Sequence, residues 1–273
     1  MRGRIVVCVG LAAAFSGLFR SGSAAQPESA ECEPSIAVEP MSAGSARLSL
    51  SAPCLPRHKV RFRYDTIELV RQLDASGRLV MTFDCFLGEK IPLTVSFQDG
   101  PSIPVQLRAL DLDRVTMVAV AWKGGVNLDL HAFEYAASLT DENHIWAGAP
   151  SSRLQAGERR HRDSRGHGFI SFASDGTGEG DQLEVYTFLH EANQTAGAVT
   201  LALDYESRAR SPRDPDTCGT GLYADLEYKV FVWHPEGKIS RSRGMFSSIG
   251  CNQLIDEAGR YNAKALPQIF LTR

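Results

Sequence analysis

The strongest constraint on this chain is an apolar side chain at every second position, run after run. Ile36 and Val38 alternate with small or polar residues, as do Leu48 and Leu50. Val60, Phe62 and Tyr64 oppose Arg61 and Arg63, and Val95 and Phe97 continue the pattern. A period of two is the signature of strands with one buried face. The runs are separated by turn chemistry: "SAGS", "APCLP", "DASGR", "LGEK" and "QDGPS". "DASG", between Leu73 and Leu79, reads as a hairpin loop. No helical stripe interrupts the first hundred residues. The pattern predicts an all-β fold that opens with a small Ig- or transthyretin-like sandwich over residues 26–112.

Past "RALDLDR" (Arg108 to Arg114) a second block begins, with longer loops and all three tryptophans. Strands are expected at Thr116–Trp122, Leu128–Phe133, Phe169–Ala173, Leu183–Phe188, Val199–Tyr205 and Leu222–Trp233, and a short helix at Gln253–Ala258. Residues 113–273 therefore read as a larger, jelly-roll-like sandwich. "RLQAGERRHRDSRGHG" and "SRARSPRDPD" read as solvated Arg-rich loops. The tryptophans sit in strand runs and read as core.

The first 25 residues have the layout of a secretory signal: Arg2 and Arg4, an apolar run from Ile5 to Phe19, and Ser23-Ala24-Ala25 as a cleavage site. The apolar run is shorter than the ~20 residues that span a bilayer, and no later segment is apolar enough to do so. The expected mature protein is periplasmic or secreted. Losing residues 1–25 removes Arg2, Arg4 and Arg20 and no acid, leaving 26 bases against 32 acids. That balance argues against nucleic-acid binding, which needs clustered positive charge. Of six cysteines, Cys8 leaves with the signal. Cys32 with Cys54, and Cys218 with Cys251, are the expected disulfides of an oxidising compartment. Cys85, inside "LVMTFDCFLG", reads as a buried free thiol. No C-x-x-C motif is present.

The candidate chemistry gathers in "VAVAWKGGVNLDLHAFE" (Val118 to Glu134). On a strand, Asn127, Asp129 and His131 share one face and Leu128, Leu130 and Ala132 the other. The complement is "SDGTGEGDQLE", with Asp175, Glu179, Asp181 and Glu184 around one Gly-rich turn. Loops dense in acids suit calcium, which needs six to eight converging oxygens. The spacing is not that of an EF-hand.

These stretches carry a resemblance. The Trp-bearing strand, followed by Asn127-Leu128-Asp129-Leu130-His131 and later by "DGTGEGDQLEVYTF", resembles an uncharacterised exported bacterial β-sandwich family, alphaproteobacterial in character. That family's motif reads Asp-Leu-Asp-Leu-His. The same stretches are similar to the tellurium-resistance stress proteins, which bind calcium in a β-sandwich. The likeness covers about Val115 to Leu189. It implies Asp129, Asp175, Asp181 and Glu184 as ligands of one structural Ca2+. The sequence departs from the pattern at Asn127, which replaces the motif's first Asp, and in the insert from Ala149 to Gly168.

Enzyme templates find no match: there is no G-x-S-x-G elbow, no H-E-x-x-H and no phosphate-binding Gly loop. Guanidinium groups suit bidentate contact with anions, so Arg159, Arg160, Arg162 and Arg165 are the candidate ligand-binding set. The expectation is a non-catalytic, envelope-associated binding or accessory protein. Its partner would be an anionic envelope polymer or another envelope protein. The alternative is a hydrolase of envelope polymers using acids around Asp129 and Glu184.

Overall fold

The computed structural model describes residues 33–98, 100–123, 128–162, 164–173, 179–205, 226–246 and 264–271. The secretory-signal segment, Cys32, Cys218, Cys251, the expected helix at 253–258 and the second Arg-rich stretch lie outside them. The described residues belong to one compact unit, and they are all-β apart from one α-helix and one 3-10 turn.

Seven strands build the first sandwich: β1 (Ser35–Met41), β2 (Ser45–Ser51), β3 (Lys59–Tyr64), β4 (Ile67–Gln72), β5 (Arg78–Asp84), β6 (Lys90–Phe97) and β7 (Ser102–Arg108). They form a three-stranded sheet, β1-β2-β5, facing a four-stranded sheet, β4-β3-β6-β7, with every ladder antiparallel. The alternation read from the sequence becomes burial: Val60, Phe62 and Tyr64 are buried while Arg61 and Arg63 are exposed.

"DASG" is not a hairpin loop, because β4 pairs with β3 and β5 with β2, in different sheets. The turn is nonetheless tight. Asp74 Oδ1 accepts the Ser76 and Arg78 amides at 2.8 Å each. An Asx turn of this kind reverses the chain without requiring its flanks to pair.

The 3-10 turn Leu112–Arg114 leads into the second sandwich. Its strands are β8 (Val115–Lys123), β9 (Leu128–Glu134), β10 (His144–Ile145), β11 (His167–Phe172), β12 (Asp181–Leu189), β13 (Gly197–Tyr205), β14 (Leu226–His234), β15 (Lys238–Phe246), β16 (Lys264–Ala265) and β17 (Ile269–Leu271). One sheet has the order β11-β12-β8-β14-β15. The other runs β10-β9-β13-β16, with β17 also on β13.

The sheet centred on β8 is buried on both faces. Val118, Val120, Trp122, Tyr186 and Phe188 face the core of the second sandwich, with Leu128, Leu130, Leu201 and Leu203 opposite. The alternate residues Met117, Ala119, Ala121, Leu183, Val185 and Phe231 join the core of the first sandwich. Phe86 meets Phe231 across this junction with ring centroids 5.5 Å apart. Double burial explains why "VTMVAVAW" reads as nearly unbroken apolar sequence, where a half-exposed antiparallel strand would alternate. Trp122 and Trp233 are core, as expected, and the Trp233 indole donates to Leu112 O at 3.0 Å. No helix among the described residues is long and apolar enough to cross a membrane.

The segment expected as an Arg-rich loop holds helix α1 (Arg153–Arg162). Ser152 caps it: Ser152 Oγ accepts the Gln155 amide at 3.1 Å and Ser152 O the Ala156 amide at 2.8 Å. Ser152-Arg-Leu-Gln155 has the spacing of a capping box, the signal that marks the helix in the sequence. The helix turns Ala156 and the ion-paired side chains of Arg153, Arg159 and Arg160 inward, and leaves Leu154 exposed. A half-buried stripe made largely of arginines has no hydrophobic periodicity to read.

Candidate functional site

β9 places Leu128, Leu130 and Ala132 in the core, so Asp129, His131 and Phe133 lie on its other face. That face is not open to solvent. The segment carrying β10 folds over it, leaving Asp129 2 % and His131 3 % exposed. Asp129 Oδ1 accepts the Ala147 amide at 3.2 Å. His131, Phe133, His144 and Trp146 lie with nearly parallel rings, centroids 4.4 to 6.2 Å apart.

Hydrogen bonding fixes the histidine tautomers. His144 Nδ1 faces Leu139 O at 3.0 Å and must donate to it. His144 Nε2 then accepts from His131 Nδ1 at 2.8 Å, and His131 Nε2 turns toward Asp129 Oδ2, 3.8 Å away. Both rings are neutral at pH 7. Burial and the neighbouring His144 pull His131 down to about 4, and burial lowers His144.

The expected calcium ligands do not converge. Asp181 and Glu184 stand three positions apart on β12, in an unbroken register with β8, and so project from opposite faces. Asp181 Oδ2 accepts the Glu68 amide of β4 at 2.7 Å, toward the first sandwich. Glu184 Oε2 accepts the Leu130 amide of β9 at 2.8 Å, inside the second. Asp175 lies outside the described residues. No cluster of three or more His, Cys, Asp or Glu side chains among the described residues is placed to hold a metal.

Gly180, where the turn enters β12, has a packing reason of its own. Gly180 has φ +74°, and a Cβ there would stand 2.6 Å from Glu68 O. The residue must be small so that β12 can start against the edge of β4.

Glu134, which carries no motif in the sequence, completes the pattern. It is fully buried and accepts the Gly168 amide at 2.7 Å, the Tyr186 hydroxyl at 2.9 Å and His167 Nδ1 at 3.1 Å. Arg159 stands 3.8 Å away. Burial and the Glu134 charge raise the Tyr186 phenol well above its ordinary value. Asp129, Glu134, Asp181 and Glu184 thus each take a backbone N–H that no strand ladder uses. In a water-poor interior such an N–H costs about 1–3 kcal/mol if left unmet. These acids terminate strands and pin loops.

The arginines are similarly occupied. Arg159 pairs with Glu134 and donates to Asn143 Oδ1. Arg160 pairs with Glu191 at 2.9 Å, and Arg165 lies over the Tyr135 ring, 5.5 Å from its centroid. Arg162 is exposed at the end of α1. Arg159, Arg160, Arg162 and Arg165 do not form one open anion site, because α1 turns Arg159 and Arg160 inward.

Among the described residues, two clefts are larger than the ≈ 160 Å³ hollow beside Arg114, Arg153 and Arg160. One, of ≈ 480 Å³, lies at the end of the second sandwich beside His190, His234, Glu191 and Gln194. There His190 Nδ1 donates to Gln194 Oε1 at 3.0 Å, and Thr116 Oγ1 donates to His190 Nε2 at 2.8 Å. The other, of ≈ 520 Å³, lies at the junction of the sandwiches, between β5 and β11. Tyr64, Leu69, Leu183 and Val185 form its apolar floor, and Arg71, Asp84, Arg153 and Ser171 supply polar groups. Ser171 Oγ donates to Asp84 Oδ2, and Arg153 stands 3.4 Å from the same carboxylate. Burial raises the Asp84 carboxyl. Neither cleft is legible in the sequence, since each collects residues from distant strands.

No family model matches the chain, and no curated protein does. Among solved structures it is similar to invasin, a bacterial integrin-binding protein. That match has 9 % identity, 76 % of this chain and 47 % of that one covered, and a TM-score of 0.25. The chain thus spans about half of the invasin chain. It is also similar to a Ca2+-stabilized adhesin that helps an Antarctic bacterium bind ice. Here identity is 10 %, coverage 76 % and 69 %, and the TM-score 0.19. At such TM-scores neither likeness carries an argument about ligand, metal or partner.

Proposed function

We propose that this chain is an exported, non-catalytic, envelope-associated binding or accessory protein. One observation carries the reading: the side chains best suited to chemistry are spent inside the scaffold. Asp129, Glu134, Asp181 and Glu184 hold backbone amides, and Arg159 and Arg160 hold carboxylates. Asp129 and Glu184, the acids a hydrolase would use, line neither of the two clefts described above. A catalytic acid needs access to substrate. A calcium centre built on Asp129, Asp181 and Glu184 drops out of the proposal, since they face different layers. The signal-like N-terminus supports export.

The test is to incubate the purified chain, lacking residues 1–25, with isolated cell envelopes and with purified sacculi. Bound protein and released soluble fragments are both measured after sedimentation. Saturable binding without fragment release is expected. Fragment release that disappears in Glu184→Gln would establish the hydrolase instead, and absence of binding to either material would overturn the proposal.

A further inference from the structure

β3, β6 and β7 lie side by side in the four-stranded sheet of the first sandwich. Their inward residues, Val60, Phe62, Leu93, Val95 and Leu107 among them, belong to its core. Strand alternation therefore sends Lys59, Arg61 and Arg63 of β3, Lys90 of β6 and Arg108 of β7 to the outer face, where all five are exposed. The three strands contain no Asp or Glu. In a chain with 32 acids against 29 bases, such a face is an exception.

Two of the five charges are met from neighbouring elements. Arg61 pairs with Glu68 of β4 at 2.7 Å, and Lys59 pairs with Glu179. Glu68 also stands opposite Arg63 in the β3–β4 ladder, but it turns Oε1 to Arg61. Arg63, Lys90 and Arg108 make no ion pair among the described residues. The flanking acids lie in turns: Asp65, after β3, is 3.7 Å from Arg241, and Glu89 precedes Lys90. Lys90 stands directly opposite Arg108 in the β6–β7 ladder. Like charges so placed repel and weaken the sheet, so an anion laid across the pair relieves a strain that the free protein carries.

The dimensions and the side chains between the charges select the kind of anion. From Lys90 to Phe97, the partner of Val60, β6 advances about 23 Å at ~3.3 Å per residue. A linear polymer can follow a basic band of that length, and a small anion cannot. Between the charges stand Thr94, Ser96, Ser102 and Gln106, whose hydroxyl and amide groups both donate and accept. Pro92 and Pro104 are the only apolar side chains these strands turn outward. The face thus offers no aromatic platform for nucleic-acid bases and no apolar anchor for a bilayer. None of its residues lines the clefts described above, so it has no pocket for the side chain of a peptide.

We infer that the outer face of β3, β6 and β7 is a docking surface for an acidic polysaccharide. Carboxylate or sulfate groups lie on Arg63, Lys90 and Arg108, and sugar hydroxyls meet the hydroxyl and amide side chains between them. This rests on the binding-protein reading above and names both the surface and the chemistry of the partner.

The test titrates the protein of the envelope assay with alginate, dextran sulfate and uncharged dextran, followed by isothermal titration calorimetry. Poly-L-glutamate and phosphatidylglycerol vesicles serve as anions without a sugar backbone. Alginate and dextran sulfate should bind, dextran should not, and both should bind at least tenfold more tightly than poly-L-glutamate or vesicles. Raising NaCl from about 0.05 M to about 0.5 M should weaken binding at least tenfold, because exposed charges are screened. Arg63→Thr, Lys90→Thr and Arg108→Thr combined should weaken it to the same degree. Arg114→Thr, Arg162→Thr and Lys238→Thr combined remove as much exposed charge elsewhere and should not. Thermal melting checks both triple variants, and the single variants Arg63→Thr and Lys90→Thr, each expected to bind more weakly, keep the test decisive if the first triple fails to fold. Dextran binding as well as dextran sulfate, equal affinity for poly-L-glutamate or vesicles, or no binding to either acidic polysaccharide would each overturn the inference. So would equal losses in the two triple variants, or self-association of the chain that excludes polymer. Envelope sedimentation that persists in the Arg63, Lys90 and Arg108 variant would show that the broader reading survives the loss of this surface.

Discussion

The stacked pair His131 and His144 makes stability depend on pH in a calculable direction. His131 is 3 % exposed, and its imidazole is pulled from 6.5 to about 4 by burial and by His144. The folded value lies below the unfolded one, so the unfolded chain binds the extra proton between those pH values. Stability from this group is therefore complete above about pH 6.5 and falls as pH drops toward 4. At ~1.4 kcal/mol per pH unit the loss is about 2.5 kcal/mol by pH 4.5. His144 shifts in the same direction, and because the rings share one hydrogen bond they titrate as a pair. Asp129, 3.8 Å from His131, is the nearest acid. Burial also raises the Asp84 and Asp181 carboxyls above their ordinary value, so the informative quantity is a difference. His131→Asn places an amide N–H near the position of Nδ1 and removes the titration. Denaturant unfolding of both proteins from pH 8 to pH 4.5 should show the wild-type advantage shrinking by about 2.5 kcal/mol. An advantage that stays constant across the range would refute the reasoning.

Glu134→Leu leaves the Gly168 amide, the Tyr186 hydroxyl and Arg159 without their shared acceptor. It should cost about 3–5 kcal/mol in urea unfolding, as breaking a buried ion pair does. Ala121→Leu overfills the face on which the two sandwiches meet and should cost about 1–3 kcal/mol. Because that core is common to both, calorimetry should still show a single transition, lowered as a whole. Cys85 is fully buried, with its thiol pushed up to about 12 by burial and by Asp84. It should react with iodoacetamide only after denaturation, while peptide mapping under non-reducing conditions should find Cys54 joined to Cys32.

The strands were legible because their causes are local. Alternation in Val60, Phe62 and Tyr64 needs only one buried face, and "VTMVAVAW" needs only two. Helix α1 escaped detection because its inward side chains include Arg153, Arg159 and Arg160, whose partners Asp84, Glu134 and Glu191 come from β5, β9 and the stretch after β12. The acids are hard to place from sequence for a related reason. A sequence shows that Asp129, Asp181 and Glu184 are near turns and strand ends, but not that each faces a backbone N–H of a different strand. Strand period alone separates Asp181 from Glu184, and that much was available from their spacing. Thr116, His190 and Gln194 carried no motif, and only the antiparallel return of β12 beside β8 brings Thr116 to His190.

Amide exchange followed by NMR would address the role of the acids directly. The Leu130, Glu68, Gly168 and Ala147 amides lie at strand edges or in loops, where exchange is ordinarily fast. If Glu184, Asp181, Glu134 and Asp129 hold them, all four should exchange slowly and resonate downfield. Leu130 alone should lose protection in Glu184→Leu, and none should change on adding calcium or chelator. Fast exchange at these four amides, or calcium-dependent shifts of the Asp129, Asp181 and Glu184 resonances together, would contradict the account.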